Sequence, residues 1–149
     1  MKTELVKNWM TPDPICAAPD TSLPEAHQMM KDHRVRRLPV MDAQRKLVGI
    51  VTRGDIRGAE PSEATSLSIY EVHYLLSRLT LERIMTIDPV TVGPNTTVRQ
   101  AAQLMLQHKI AGLPVVDGGR VVGIITESDI FRLVVKMWEA EEQAAPVPA

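Results

Sequence analysis

Two Thr-x-x-Asp segments carry the most chemistry in this sequence: Thr52 to Asp55 and Thr126 to Asp129. A threonine hydroxyl with helix-opening amides can hold phosphate oxygens, and a carboxylate three residues on can accept both hydroxyls of a ribose. The same spacing also describes a helix cap, in which Thr or Asp only satisfies the first amides of the following helix. Arg34-Val35-Arg36-Arg37 is the densest positive cluster. Period two along a strand would put Arg34 and Arg36 on one face and Arg37 on the other, so all three cannot serve one anion without a turn. The structural alternative is a strand edge blunted by charge.

Other chemistries find little support. His27, His33, His73 and His108 form no close metal-ligand pair such as His-x-x-x-His, and His33 reads as a packing or capping residue. Cys16 lacks any motif of a nucleophile and reads as a small buried side chain. No Walker or Rossmann glycine loop occurs. The expectation is therefore no enzyme, with no catalytic residue and no metal. Two Trp, two Tyr and one Phe at a net charge of −1 argue against nucleic acid as a partner. One cysteine allows no internal disulfide, Met1 to Leu5 lacks the apolar core of a signal peptide, and no apolar run approaches the roughly 18–20 residues that span a bilayer. A cytoplasmic protein with no membrane partner is expected.

The elements that must position the two Thr-x-x-Asp segments occur twice. Met10-Thr11, Asp13-Pro14, Ala26, Met30, His33 and Leu38-Pro39-Val40 recur as Met85-Thr86, Asp88-Pro89, Ala101, Met105, His108 and Leu113-Pro114-Val115, an offset of 85 − 10 = 75. From Gly49, Thr52 and Asp55 to Gly123, Thr126 and Asp129 the offset is 74, so the first copy carries one extra residue within 42–46. Such register is internal duplication, with the length change in a turn, where it costs least. Residues 1–8 read as a polar lead-in and Met10 to Pro14 as a loop, with Pro12 and Pro14 pushing their predecessors toward extended geometry.

Ile15 to Ala17 then reads as a strand, and a helix runs from Pro24 to about His33. Val35 to Met41 and Leu47 to Thr52 are paired strands, and a short helix opens at Asp55. A linker at 58–65 leads to a helix over 66–81, with a candidate capping box at Ser68 and Glu71 and an apolar stripe of Ile69, Val72, Leu76 and Leu79. The second copy repeats the plan: Val90 to Val92 as strand, Thr97 to His108 as helix, Ile110 to Val116 and Val121 to Thr126 as strands. They are joined by a Gly118-Gly119 turn of positive φ. A last helix starts at Ser128 and should fray from Glu139. The halves are too short for separate robust cores, so one shared core is expected. The domain plan is 1–60, a linker with a helix at 61–83, 84–138, and a flexible tail at 139–149.

The order Met-Thr-x-Asp-Pro, an Ala-x-x-x-Met helix, Leu-Pro-Val-x-Asp and Gly-Ile-(Val/Ile)-Thr-x-x-Asp resembles the cystathionine β-synthase (CBS) domain. Two in tandem resemble a Bateman module, and the bridge from Pro61 to Val72 is similar to that of stand-alone bacterial two-CBS proteins labelled as acetoin-utilisation proteins. The resemblance implies an α/β fold: two β-α-β-β-α repeats related by a pseudo-twofold axis, with two modules forming a disc-like homodimer. It implies a ligand-sensing module that requires no cofactor and binds AMP, ADP or ATP, with S-adenosylmethionine or NAD behind them, and regulates an enzyme or transporter in trans. The alternative is a dimerisation module with vestigial clefts.

In the family the Asp holds ribose, the Thr holds phosphate, and the apolar residue two before Thr, here Ile50 or Ile124, flanks adenine. By that resemblance one cleft combines Met10 to Ile15 and Val35, Arg36 and Arg37 with Ile124, Thr126 and Asp129. The other combines Met85 to Val90, Ile110, Ala111 and Gly112 with Ile50, Thr52, Arg53 and Asp55. Arg36 and Arg37 face Ala111 and Gly112 in that comparison, so the first cleft is expected to bind more tightly and to favour longer phosphate chains.

Overall fold

The computed structural model describes residues 3–61 and 66–144. After a 3-10 turn at Val6–Asn8 come strand β1 (Thr11–Pro12), helix α1 (Leu23–His33), β2 (Arg37–Met41), β3 (Leu47–Thr52), α2 (Arg53–Ala59) and α3 (Ile69–Arg78). A second 3-10 turn at Leu81–Arg83 leads to β4 (Thr86–Ile87), α4 (Val98–His108), β5 (Gly112–Asp117), β6 (Arg120–Thr126) and α5 (Glu127–Ala144).

Local chemistry explains the helix ends. Ser22 Oγ accepts from the Glu25 amide, Pro24 lies in the first turn of α1, and the helix stops where Arg34 turns left-handed at φ 54°. In the duplicate, Thr97 and Gln100 form a reciprocal capping box on α4, which stops at Lys109 with φ 55°. Ala26 and Met30 on α1, like Ala101 and Met105 on α4, are one turn apart and buried.

The sheets run β2-β3-β4 and β1-β6-β5. That order makes β2 and β5 edge strands, which is where Pro39 and Pro114 are tolerated without breaking a ladder. Gly118 and Gly119 take φ 59° and 82° in the tight turn expected of them. The wider turn of the first copy is closed by Asp42, whose carboxylate accepts from the amides of Gln44 and Lys46 at 2.9 Å each.

Two compact units result, and they do not coincide with the sequence repeats. One, the Asp129 unit, joins the N-terminal segment through Asp13 to Val90–Asp117 and to the chain from Val122 onward. The other, the Asp55 unit, is Pro14–Pro89 with Gly118–Val121. Each sheet therefore takes its short third strand from the other repeat: β1 pairs with β6 and β4 with β3.

Each unit also has its own core, in place of the one shared core expected. Val6, Val98, Ala101, Met105, Leu113, Val115 and Ile125 cluster in the Asp129 unit, and Leu23, Ala26, Met30, Leu38, Val40, Val51 and Leu81 in the Asp55 unit. Val6 and Leu81 are repeat counterparts, 6 + 75 = 81, and each is fully buried among residues of the other copy. The lead-in is thus an anchored segment.

Other boundaries also change. Thr11–Pro12 is a strand where a loop was expected, while the expected strands at Ile15–Ala17 and Val90–Val92 shrink to single bridges, Ala17 to Val40 and Val92 to Val115. Asp13 is left-handed at φ 44° although it precedes Pro14, and Asp88 before Pro89 matches it at 49°. Aspartate tolerates this geometry better than most residues. On α3 only the Ser68 half of the capping box forms, and Leu76 and Leu79 pack on the Asp55 unit core while Ile69 stays 68% exposed. Helix α5 continues through the residues expected to fray, as far as Ala144. Residues 62–65 of the linker and the tail prolines Pro146 and Pro148 lie outside the described residues.

Candidate functional site

Both Thr-x-x-Asp segments sit where a strand hands over to a helix. Thr52 ends β3 in extended geometry, its Oγ1 accepts from the Asp55 amide at 3.1 Å, and its own amide donates to Asp55 Oδ2 at 2.8 Å. In the other unit the Thr126 amide donates to Asp129 Oδ2 at 2.8 Å and the Thr126 hydroxyl donates to the same oxygen at 3.3 Å. The bonding completes a capping box at Thr52 but only the Asp129 half of one at Thr126, whose hydroxyl turns to the carboxylate. It leaves the remaining carboxylate oxygen to decide what else each Asp can do.

There the copies differ. Asp129 is 3% exposed, and its Oδ1 accepts from Arg132 Nη2 one turn further along α5. The counterpart of Arg132, 132 − 74 = 58, is Gly58, so α2 places no cation beside Asp55 at that position. Arg132 escaped the sequence reading; the available signal was a basic residue three after the Asp in one copy only.

Around these ends, packing is close. Ile50 pairs with Thr86 and Ile124 with Thr11. A Cβ on Gly49 would lie 2.6 Å from Met85 Sδ, and one on Gly123 would collide with Met10 Sδ, so only glycine admits the neighbouring Met-Thr segment. The amide of Arg53 donates to the Arg36 carbonyl at 2.8 Å, and that of Glu127 to the Ala111 carbonyl at 3.0 Å. The Asp129 unit thus carries Met10, Val90, Ile110, Ala111, Ile124, Thr126 and Asp129. The Asp55 unit carries Ile15, Val35, Arg36, Arg37, Ile50, Thr52, Arg53, Asp55 and Met85.

Arg36 and Arg53, assigned by the resemblance to different clefts, both line one cavity of about 240 Å³ in the Asp55 unit. Lys31 and Arg34 line it too. Arg37 instead pairs with Thr52 in the sheet. Arg34 and Arg36 thus fall together and Arg37 apart, as period two suggests, although Arg34 is a helix cap and not a strand residue. Cys16 is half-buried, its thiol donates to the Pro14 carbonyl at 3.3 Å, and burial pushes its pKa up to about 11 against a smaller opposing pull from Arg45.

The sequence matches the CBS domain family over residues 6–62 and 81–136. The fold is similar to a structure described as a putative acetoin utilization protein from Vibrio cholerae, with a TM-score of 0.77 at 31% identity over 97% of this chain and 100% of that one. It is similar also to the CBS domain pair of protein MJ0100, solved with 5′-methylthioadenosine and S-adenosyl-L-methionine, with a TM-score of 0.77 at 34% identity over 91% and 99% of the two chains. A third similar structure is CBSX2 of Arabidopsis thaliana in complex with AMP, with a TM-score of 0.75 at 29% identity over 91% and 98%. The chain spans 23% of the length of the first curated relatives it matches. With both repeats matched and the two-sheet architecture shared, the chain belongs to the CBS domain family as a tandem pair of CBS domains.

Proposed function

We propose that this protein is a non-catalytic sensor whose Thr52–Asp55 and Thr126–Asp129 ends each hold the ribose of an adenosyl ligand. The observation that carries this reading is the rigid carboxylate: in both copies one Asp oxygen is tied to the Thr amide at 2.8 Å, which orients the other before any ligand arrives. Ile50 and Ile124, two residues earlier, offer apolar surface to the base. The complexes of MJ0100 and CBSX2 support an adenosine-containing ligand without selecting among AMP, ADP, ATP, S-adenosylmethionine and NAD. Such ligands are intracellular, so this reading assigns the cytoplasm. The output is regulation of an enzyme or transporter by a homodimer.

Calorimetric titration with these ligands tests the reading. Asp55→Asn and Asp129→Asn should each weaken one site by about 1.5–3 kcal/mol, because the ribose loses a charged acceptor. Unchanged affinity in both variants removes the ribose role.

A second reading, an assembly module whose Thr-Asp pairs only cap helices, is favoured by the complete capping box at Thr52. A thermal-shift screen separates the two readings. A true ligand at one hundred times its dissociation constant adds about 2.7 kcal/mol of stability, whereas a pure assembly module responds to none.

A further inference from the structure

Leu23 and Val98 stand at matching positions, 23 + 75 = 98, and the chain meets them in the same way in both units. The Leu23 amide donates to the Leu79 carbonyl at 3.1 Å and the Val98 amide to the Glu4 carbonyl at 2.9 Å; Leu79 and Glu4 match as well, 79 − 75 = 4. Single bridges from Ser22 to Thr80 and from Thr97 to Leu5 repeat the correspondence.

What lies upstream of that track differs between the units. In the Asp55 unit it is helix α3, packed against α1, with His73 and Leu76 beside Leu23, Pro24, His27 and Glu60 around a residual cavity of about 160 Å³. In the Asp129 unit the same flank of α4 borders a groove of about 490 Å³, lined by Val98, Arg99 and Gln103 of α4, Leu133 and Met137 of α5, and Glu4. Helix α5 runs on where α2 stops, yet it flanks this groove without closing it, and among the described residues no helix precedes Glu4. One copy thus shows what the flank of the other accepts. It is an amphipathic helix that turns inward Val72, Leu76 and Leu79, spaced four and three apart.

The charge of the occupant follows from the differences between the copies. Pro24, Glu25 and Glu60 become Arg99, Gln100 and Val134, so two carboxylates are lost and a guanidinium is gained. Arg99 is exposed and has no ion-pair partner among the described residues, while the Glu4 carboxylate accepts from Trp9 Nε1 at 3.0 Å. A helix over this groove therefore meets a free cation where α3 has its histidine over Pro24 and Glu60.

We propose that the groove between α4 and α5 is a docking site for an amphipathic helix of a partner protein, with an apolar stripe spaced as in α3 and a carboxylate at the position of His73. Helix-in-groove recognition of this kind reads the stripe through shape and the rim through charge. The site does not depend on Asp55 or Asp129 holding ribose.

The test uses α3 itself as the probe. Acetylated, fluorescent peptides of residues 66–80, with the native sequence and with His73→Glu, are titrated with the full chain at about pH 8, where the histidine is neutral. Anisotropy should show the His73→Glu peptide binding about two- to fivefold more tightly than the native one, the range of an exposed ion pair. Arg99→Glu in the full chain should reverse that order. A peptide with Val72→Asp/Leu76→Asp should lose at least tenfold. Arg99 is exposed, and an unchanged thermal midpoint confirms that the variant is folded.

No saturable binding of either peptide, or the same order of affinities in the wild type and Arg99→Glu, overturns the site. If neither peptide binds and Arg99→Glu instead dissociates a dimer in sedimentation, the groove is filled by a second copy and the proposal fails. Asp55→Asn and Asp129→Asn should leave peptide binding unchanged, which keeps failure of the ribose reading distinct from failure of this one.

Discussion

Arg132 donates from Nη2 to Oδ1 of Asp129, one turn back on α5, whereas among the described residues no cation pairs with the corresponding Asp55. The Arg132 side chain is 62% exposed, so the pair contributes only about 0.2–1 kcal/mol. A ribose hydroxyl can displace it, at that cost. Arg132→Ala should therefore raise AMP affinity at the Asp129 end by up to about fivefold. Titration in an Asp55→Asn background isolates that end. A lower affinity would mean that Arg132 helps to hold the ligand.

Glycines in similar sequence surroundings should respond in opposite directions. A Cβ on Gly49 would lie 2.9 Å from the Thr86 carbonyl as well as against Met85, and one on Gly123 would lie 3.1 Å from the Thr11 carbonyl. The obstacle is partly backbone, so Gly49→Ala and Gly123→Ala should each cost about 1–3 kcal/mol. Gly58, inside α2, has nothing within 4 Å of an added Cβ, so Gly58→Ala should stabilise by about 0.5–1 kcal/mol. Urea denaturation midpoints at constant m-value read all three.

Cys16 should be a slow nucleophile. With its pKa pushed up to about 11 by burial, it carries roughly one hundredth of the thiolate of an ordinary cysteine at pH 8, and iodoacetamide labelling should slow accordingly. Because the folded value lies above the unfolded one, its contribution to stability is complete below about pH 9 and lost as pH rises toward 11. Labelling that reaches half its maximal rate near pH 9 would contradict this.

Phe131, Val135 and Trp138 lie at four- and three-residue spacing on α5 and are 64%, 46% and 61% exposed. An apolar stripe of this kind suits a second copy of the same helix, where the patch is self-complementary. Sedimentation at tens of micromolar should show a dimer, and Phe131→Glu/Trp138→Glu should yield a folded monomer. A wild-type monomer at that concentration would end the proposal.

Much of the architecture was legible because it is local. Ala26 and Met30 recur at helical spacing, Gly118-Gly119 has only one kind of turn to make, and Ser22 and Thr97 stand one residue ahead of their helices. The Thr52 and Thr126 ends were legible for the same reason, since a carboxylate three residues after the threonine reaches the threonine's own amide within one helical turn. The grouping of Arg36 with Arg53 was not, because it depends on which strand end meets which helix start. Nor was the exchange between copies. Val6 and Leu81 stand at matching positions, both apolar and each ahead of a Met-Thr segment, so either could fill either core on hydrophobic pattern alone. Three-dimensional packing chose the crossed arrangement: Val6 is bonded to the Thr96 carbonyl, the amide of Leu81 to the Thr21 carbonyl, and β1 and β4 close the sheets over Gly123 and Gly49. Sequence alone determined the main helices, the two hairpins and the duplicated Thr-x-x-Asp ends, since these follow from contacts within one turn or hairpin, whereas β1 and β4 exist only through pairing with distant strands. Only the tertiary structure decided which copy completes which core, because a duplicated pattern is degenerate until distant segments compete for the same buried space.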